Sequence, residues 1–114
     1  MGLKQDVLTI ATLAAQSSNF TGATLDLSGY TSGALYINTT VAGTTYTPDL
    51  QMTFDGTNFL SIPTAILSAR SAITAVGLTA YTFTNGMAVG KVRFVATAFT
   101  GAFTASVIGI LNHP

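Results

Sequence analysis

The chain has 114 residues, the length of a single domain, and it carries 7% charged residues, no cysteine and no net charge. The lack of cysteine excludes disulfides and thiolate metal ligands, and four cations are too few to neutralise many phosphates. A surface so poor in charge favours a protein that lies against copies of itself or a partner, rather than a free monomer.

The N-terminal segment is apolar from Val7 to Ala15. Such a run loosely resembles a secretion signal, but Asp6 at its edge and Thr9 within it argue against one. Apolar and β-branched residues here favour a strand instead. We predict that residues 1–16 form an N-terminal strand or an arm reaching a neighbouring subunit, and that residues 17–114 form a single β-sandwich domain.

Two strands are predicted between residues 25 and 41. Leu25 and Leu27 flank Asp26 in a short strand, so the Asp26 side chain should face solvent. The second strand alternates from Ala34 to Val41. One predicted face carries Leu35, Ile37, Thr39 and Val41, and the other carries Tyr36, Asn38 and Thr40.

A hairpin is predicted around Asp55-Gly56. Leu50, Met52 and Phe54 alternate before it and form one apolar face, and a strand resumes from Phe59 to Ile62. Glycine accepts the positive φ that tight hairpin turns require, so the turn is placed at this pair.

Residues 64–76 fit two patterns. Ile66 and Ile73 would share one face of a short helix, whereas Ile66, Ser68 and Arg70 alternate as they would in a strand. Helix signals are scarce elsewhere in the chain, so we predict a strand or an irregular loop here.

The C-terminal third predicts two long strands. Tyr81 and Phe83 alternate before a turn at Asn85-Gly86, and the last strand runs from Phe103 to Leu111. Another long strand lies between the Asn85-Gly86 turn and Phe103. One of its faces has Val92, Phe94, Ala96 and Ala98, and the opposite face has Arg93, Val95, Thr97 and Phe99. Threonine and glycine interrupt the uncharged stretch 94–111, so it predicts two strands and a turn, and we expect no membrane segment.

About eight strands with regularly spaced turns indicate an all-β fold. We predict a jelly-roll-like antiparallel β-sandwich.

The residues needed for catalysis or metal binding are nearly absent from the sequence. His113 is the only histidine and is penultimate, so a solvated tail residue is expected. Asp49 is placed at a strand start and Asp55 in a turn, which gives each a structural position. A calcium site built from Asp49, Asp55 and Asn58 lacks a ligand-spaced loop. We predict no enzyme activity, no catalytic residues, no cofactor-binding residues, no cofactor and no metal site.

Lys91 and Arg93 form a small basic spot that is expected to be a solvated strand face. The aromatic residues are expected to lie in the core and at subunit contacts, because such residues mainly supply packing area. They are Phe54, Phe59, Tyr81, Phe83, Phe94, Phe99 and Phe103.

Several segments together carry a resemblance to a known class of proteins. They are Leu25–Tyr30, Gly33–Asn38, Val41–Thr45, Leu50–Met52, Asp55–Phe59, Val92–Val95, Thr100–Thr104 and Ser106-Val107. Their order resembles small virion proteins of tailed bacteriophages, where an Asp-containing strand leads to Gly-Tyr and an alternating strand then leads to a Gly-Thr turn. The resemblance spans residues 24–110, and the chain departs from it at Tyr46-Thr47-Pro48 and in residues 64–76.

The resemblance implies a capsid cement or decoration protein on the surface of the phage head. Its implied partners are the major capsid protein and further copies of itself in a homotrimer, with neither nucleic acid nor membrane involved. A tail, neck or fibre-associated virion protein is the first alternative, and a carbohydrate-binding surface module is the second. An enzyme is the least supported, for want of catalytic residues.

Overall fold

The computed structural model describes residues 4–83 and 89–113. Within these ranges the chain forms nine β-strands and no helix, and hence no helix that could span a membrane. The strands are β1 Lys4–Gln16, β2 Phe20–Thr21, β3 Leu25–Asp26, β4 Ser32–Val41, β5 Thr45–Thr53, β6 Leu60–Ser61, β7 Gly77–Thr82, β8 Lys91–Thr100 and β9 Phe103–His113.

The strands form two antiparallel sheets. The first sheet has the order β1-β9-β4-β7, and the second has the order β2-β8-β5-β6, with β3 also paired to β8. The prediction of an all-β antiparallel sandwich is confirmed. The two-residue strand β2 had no counterpart in the prediction. The turn expected at Asn85-Gly86 lies outside the described residues.

The N-terminal segment belongs to the first sheet. Residues 4–16 form the edge strand β1, which pairs with β9 of the same chain from Lys4↔His113 to Gln16↔Phe103. Ile10 and Leu13 of this strand are buried in the core. In the described residues the segment is therefore a strand that pairs within its own chain.

The core lies between the sheets, where the alternating side chains predicted from the sequence meet. Leu35 and Ile37 from the first sheet are fully buried, as are Leu50 and Phe94 from the second. At one end the Tyr46 ring stacks on Phe99 with centroids 4.9 Å apart and meets Phe103 edge-on at 4.6 Å. Alternation with a period of two thus places the large apolar residues correctly through the middle of each strand.

The simple alternation fails near strand ends. Ala98 has a positive φ of 56°, and the β5–β8 register shifts beside it, so Ala98 is exposed while Phe99 turns towards the core. A second register shift, between Thr39 and Val41 in β4, leaves Val41 55% exposed. The predictions that Ala98 shares a face with Phe94, and Val41 with Leu35, are therefore wrong, because a bulge reverses the face on which later side chains lie.

Residues 64–76 run irregularly from the second sheet to the first, as predicted. Isolated bridges hold this segment at two points, Leu67↔Phe83 and Ile73↔Tyr46. Leu67 and Ile73 are both buried, so the segment closes one side of the sandwich.

Candidate interaction surface

One side of the sandwich is uncharged. Along each strand of the first sheet, side chains alternate between the core and the outside. Leu35 and Val107 point into the core, and the residues before and after each of them point outward. We call their surface the uncharged face, since no described residue on it is charged. It consists of Gln5, Val7, Thr9, Thr12, Ser32, Ala34, Tyr36, Asn38, Leu78, Ala80, Thr82, Ser106, Ile108, Ile110 and Asn112.

The centre of the uncharged face is apolar. The register aligns Val7, Ile110 and Ala34 in one row across the strands, and Ile108 and Tyr36 in the next. Apolar side chains grouped in this way on a surface are typical of an interaction site.

A shallow hollow of about 310 Å³ lies on this face. It is lined by Tyr36, Asn38, Leu78, Ile108 and Ile110, and the Leu78 side chain is 67% exposed. Nearly all of the lining surface is apolar. The hollow can therefore accept an apolar group.

The outward face of the second sheet is polar and carries an ion pair. Arg70 is buried and lies 2.9 Å from the Asp49 carboxylate, which also accepts a hydrogen bond from Ser61. Its guanidinium donates to the backbone oxygens of Ile62, Leu67 and Ser68, at 2.6, 2.8 and 3.1 Å. Arg70 thus holds its own loop against the sheet. Its role was missed because the 21-residue separation from Asp49 leaves no local pattern.

Of the two residues of the basic spot, Arg93 makes contacts within the protein and is not a solvated strand residue. The Arg93 guanidinium lies 3.7 Å above the Phe59 ring, and its Nε donates to Gln51 at 2.9 Å. A cation over an aromatic ring is attracted by the electron-rich face. Arg93 is therefore partly buried, while Lys91 is exposed.

His113 is not a solvated tail residue, contrary to expectation. It ends β9, and its Nε2 lies 3.5 Å from Oδ2 of Asp6. The same Oδ2 accepts a hydrogen bond from the Tyr30 hydroxyl at 2.7 Å, and this bond raises the pKa of Tyr30. The three side chains connect β1, β9 and the loop before β4. Among the described residues, no group of three or more His, Asp or Glu is placed to hold a metal ion.

The loop of residues 53–59 is ordered by Asp55. This carboxylate accepts hydrogen bonds from the backbone N–H groups of Thr57 and Asn58, both at 2.8 Å, and from the side chains of Asn58 and Thr53. These bonds, the Asn58 N–H foremost, hold the pKa of Asp55 well below its usual range. Gly56 has the positive φ that was predicted, at 78°. The loop is wider than a two-residue turn, because the nearest strand pair is Met52↔Leu60.

Phe54 projects from this loop. Its side chain is 91% exposed, although the alternation with Leu50 and Met52 predicted an inward position or a subunit contact. The inward position is wrong because β5 ends at Thr53, after which the chain no longer follows the pleat. Thr53 itself is buried and bonds to the Asp55 loop.

Comparison with solved structures finds the same fold in a protein of prophage origin. The SPBc2 prophage-derived protein YomS is similar with a TM-score of 0.62 and 13% sequence identity, over 96% of each chain. A structure of the Gx strain of infectious bursal disease virus matches at 13% identity over 34% of its chain, with a TM-score of 0.44. A structure of the Gt strain matches at 16% identity over 42% of its chain, with a TM-score of 0.27. No common fold is inferred at these scores. No family model and no curated protein matches the sequence. The chain thus shares its fold, over nearly its full length, with a small prophage-derived protein.

Proposed function

We propose that this protein is a structural protein of a phage virion, a capsid cement or decoration protein. In this role it lies on the head surface as a homotrimer and stabilises the head by bridging major capsid subunits. The observation that carries the proposal is the uncharged face: one complete side of the sandwich offers apolar and neutral polar groups to its surroundings.

The distribution of charge supports a role in assembly. Water-exposed sheet faces of free proteins normally carry charged side chains, which oppose association. The uncharged face has none among its described residues, and apolar side chains on its two edge strands, Val7 and Leu78, are exposed. Contact with a neighbouring protein would remove this apolar surface from water, and no charged group of this face would lose its hydration.

The fold and the sequence resemblance agree with a virion role. The two-sheet architecture is shared with a prophage-derived protein, and the sequence resembles small virion proteins of tailed phages. Neither observation distinguishes the head from the tail, so the proposed location rests on the resemblance to cement proteins.

Binding to particles that lack the protein tests the proposal. Purified protein is added to such particles, which are then sedimented, heated and imaged by electron cryomicroscopy. We expect wild-type protein to sediment with the heads and to raise the temperature at which they release DNA. Binding to tails alone would support a tail-associated protein over a cement protein. Binding to neither heads nor tails would refute a virion role.

Two matched variants test the uncharged face itself. Val7→Asp places a charge on this face, and Thr97→Asp places the same charge on an exposed strand position of the opposite sheet. We expect Val7→Asp to reduce binding to heads at least tenfold and Thr97→Asp to leave it within about twofold. Equal binding by the two variants would show that the uncharged face is not the contact.

A further inference from the structure

Phe54 is an aromatic side chain held in the open by a well-bonded loop. It is the most exposed of the large apolar residues in the described part of the chain. The loop is ordered before any partner arrives, because the Asp55 carboxylate bonds to Thr53, Thr57 and Asn58. A pre-ordered aromatic group loses little conformational freedom on binding, and aromatic residues dominate the energetics of many protein interfaces.

The hollow on the uncharged face is the matching feature. It is apolar, it measures about 310 Å³, and it is lined by Tyr36, Asn38, Leu78, Ile108 and Ile110. No charge on the uncharged face would be buried by insertion of an aromatic side chain, and the one carboxylate beside Phe54 is already bonded within its own loop.

Phe54 cannot fill the hollow of its own chain. It follows β5 in the second sheet, at the end where Thr53 pairs with Lys91. The hollow lies on the outer side of the first sheet, so the two features belong to different sheets of the sandwich. Contact between them needs two molecules.

We propose that copies of this chain associate head to tail, with Phe54 of one copy seated among Leu78, Ile108 and Ile110 of the next. A second copy is the occupant that the structure itself supplies, since it carries an uncharged projecting group that suits the apolar hollow. The chain has zero net charge, so copies do not repel each other. A contact between two different surfaces of the same protein forms a closed ring when the rotation between neighbouring copies divides a full turn evenly. A ring of three copies is the homotrimer. This inference rests on the self-association in the proposed function, and not on the capsid.

Complementation of two variants tests the head-to-tail arrangement. Phe54→Ser removes the projecting group and keeps the hollow, whereas Leu78→Ser damages the hollow and keeps Phe54. We expect each variant alone to be monomeric by sedimentation velocity, at concentrations where the wild type is oligomeric. A mixture of the two should form dimers, because one intact contact remains, but no ring. Val41→Ser, at an exposed valine outside the hollow, is the control and should associate like the wild type.

Photo-crosslinking identifies the contact. A benzophenone side chain at position 54 keeps an aromatic group there, and mixing with isotope-labelled wild type marks crosslinks between chains. Trypsin separates the regions into peptides 5–70, 71–91 and 94–114, because the cleavage sites are Lys4, Arg70, Lys91 and Arg93. We expect crosslinks from peptide 5–70 to labelled 71–91 or 94–114.

Three results would overturn the inference: a monomeric wild type, association of Phe54→Ser equal to wild type, or crosslinks from position 54 only to residues outside the hollow. Circular dichroism of each variant verifies that it is folded. No capsid is present in these experiments, so their failure is distinct from a failure of head binding.

Discussion

Replacing Arg70 by methionine tests what fixes residues 62–70 against the second sheet. The Arg70 side chain is 7% exposed and donates to the Asp49 carboxylate through Nε and Nη2, at 3.1 and 2.9 Å. It also donates to three backbone carbonyls of its own loop. Methionine fills the space of the aliphatic stem but provides none of these hydrogen bonds.

The expected loss of stability follows from these partners. Breaking a buried ion pair costs about 3–5 kcal/mol, because the remaining charge is left without its counterion. Asp49 is 24% exposed and keeps its bonds from Leu50 N–H and Ser61, so water and these donors compensate it in part. We expect Arg70→Met to lower the free energy of unfolding by about 3 kcal/mol, a large share of the roughly 5–15 kcal/mol of a typical domain.

Urea unfolding measures this loss, and Arg93→Met is the matched control. In the described part of the chain, Arg93 bonds to Gln51 and contacts Phe59, so its replacement should lower the free energy of unfolding by about 1 kcal/mol. In the double variant Arg70→Met/Asp49→Asn, the loss should be smaller than the sum of the single losses, since the two residues share one interaction. A loss below 1 kcal/mol for Arg70→Met, or equal losses for both arginines, would refute the structural role assigned to Arg70.

Two further predictions concern glycines and pH. Gly56→Ala should lower the free energy of unfolding by about 1 kcal/mol, because φ is +78° but an added Cβ meets nothing within 4 Å. Gly43→Ala should lower it by about 2 kcal/mol or more, because the added Cβ would lie 2.7 Å from the Gly101 backbone. The reverse order in urea unfolding would contradict these placements. Burial raises the pKa of Tyr46 from 10.0 to about 12, so the folded state keeps a proton that the unfolded state releases. The stabilisation that comes from keeping Tyr46 protonated in the folded state is complete below pH 10 and is lost as the pH rises towards 12. Urea unfolding at increasing pH should show this decline in the wild type and a smaller one in Tyr46→Phe.

The sandwich was predictable because both sheets bury one side, which imposes a period of two on the apolar residues. Leu35, Ile37 and Phe94 follow this rule and lie where the pattern places them. The rule breaks where the backbone leaves the regular pleat, as at Ala98 with its positive φ. Alanine rarely adopts this conformation, so nothing in the local sequence marks the bulge.

The candidate site was less predictable than the fold. The low charge content predicted a surface suited to association, but not which face would lack charge. That depends on register, which decides, for example, that Val7 lies beside Ile110 in the first sheet. Contacts between distant parts of the chain, such as His113 with Asp6, depend on the same pairing of the first and last long strands.

The few charged residues mostly stabilise the fold and do little to separate molecules. Within the described residues, Asp6 pairs with Tyr30, Asp26 with Ser28, Asp49 with Arg70, Asp55 with Asn58, and Arg93 with Gln51. A charge that already bonds to its own chain contributes less to repulsion between copies. These contacts lie at the ends of the sandwich and on the second sheet, which leaves the uncharged face without electrostatic protection. The proposed association through that face therefore rests on where the charges are used, and not only on how few there are.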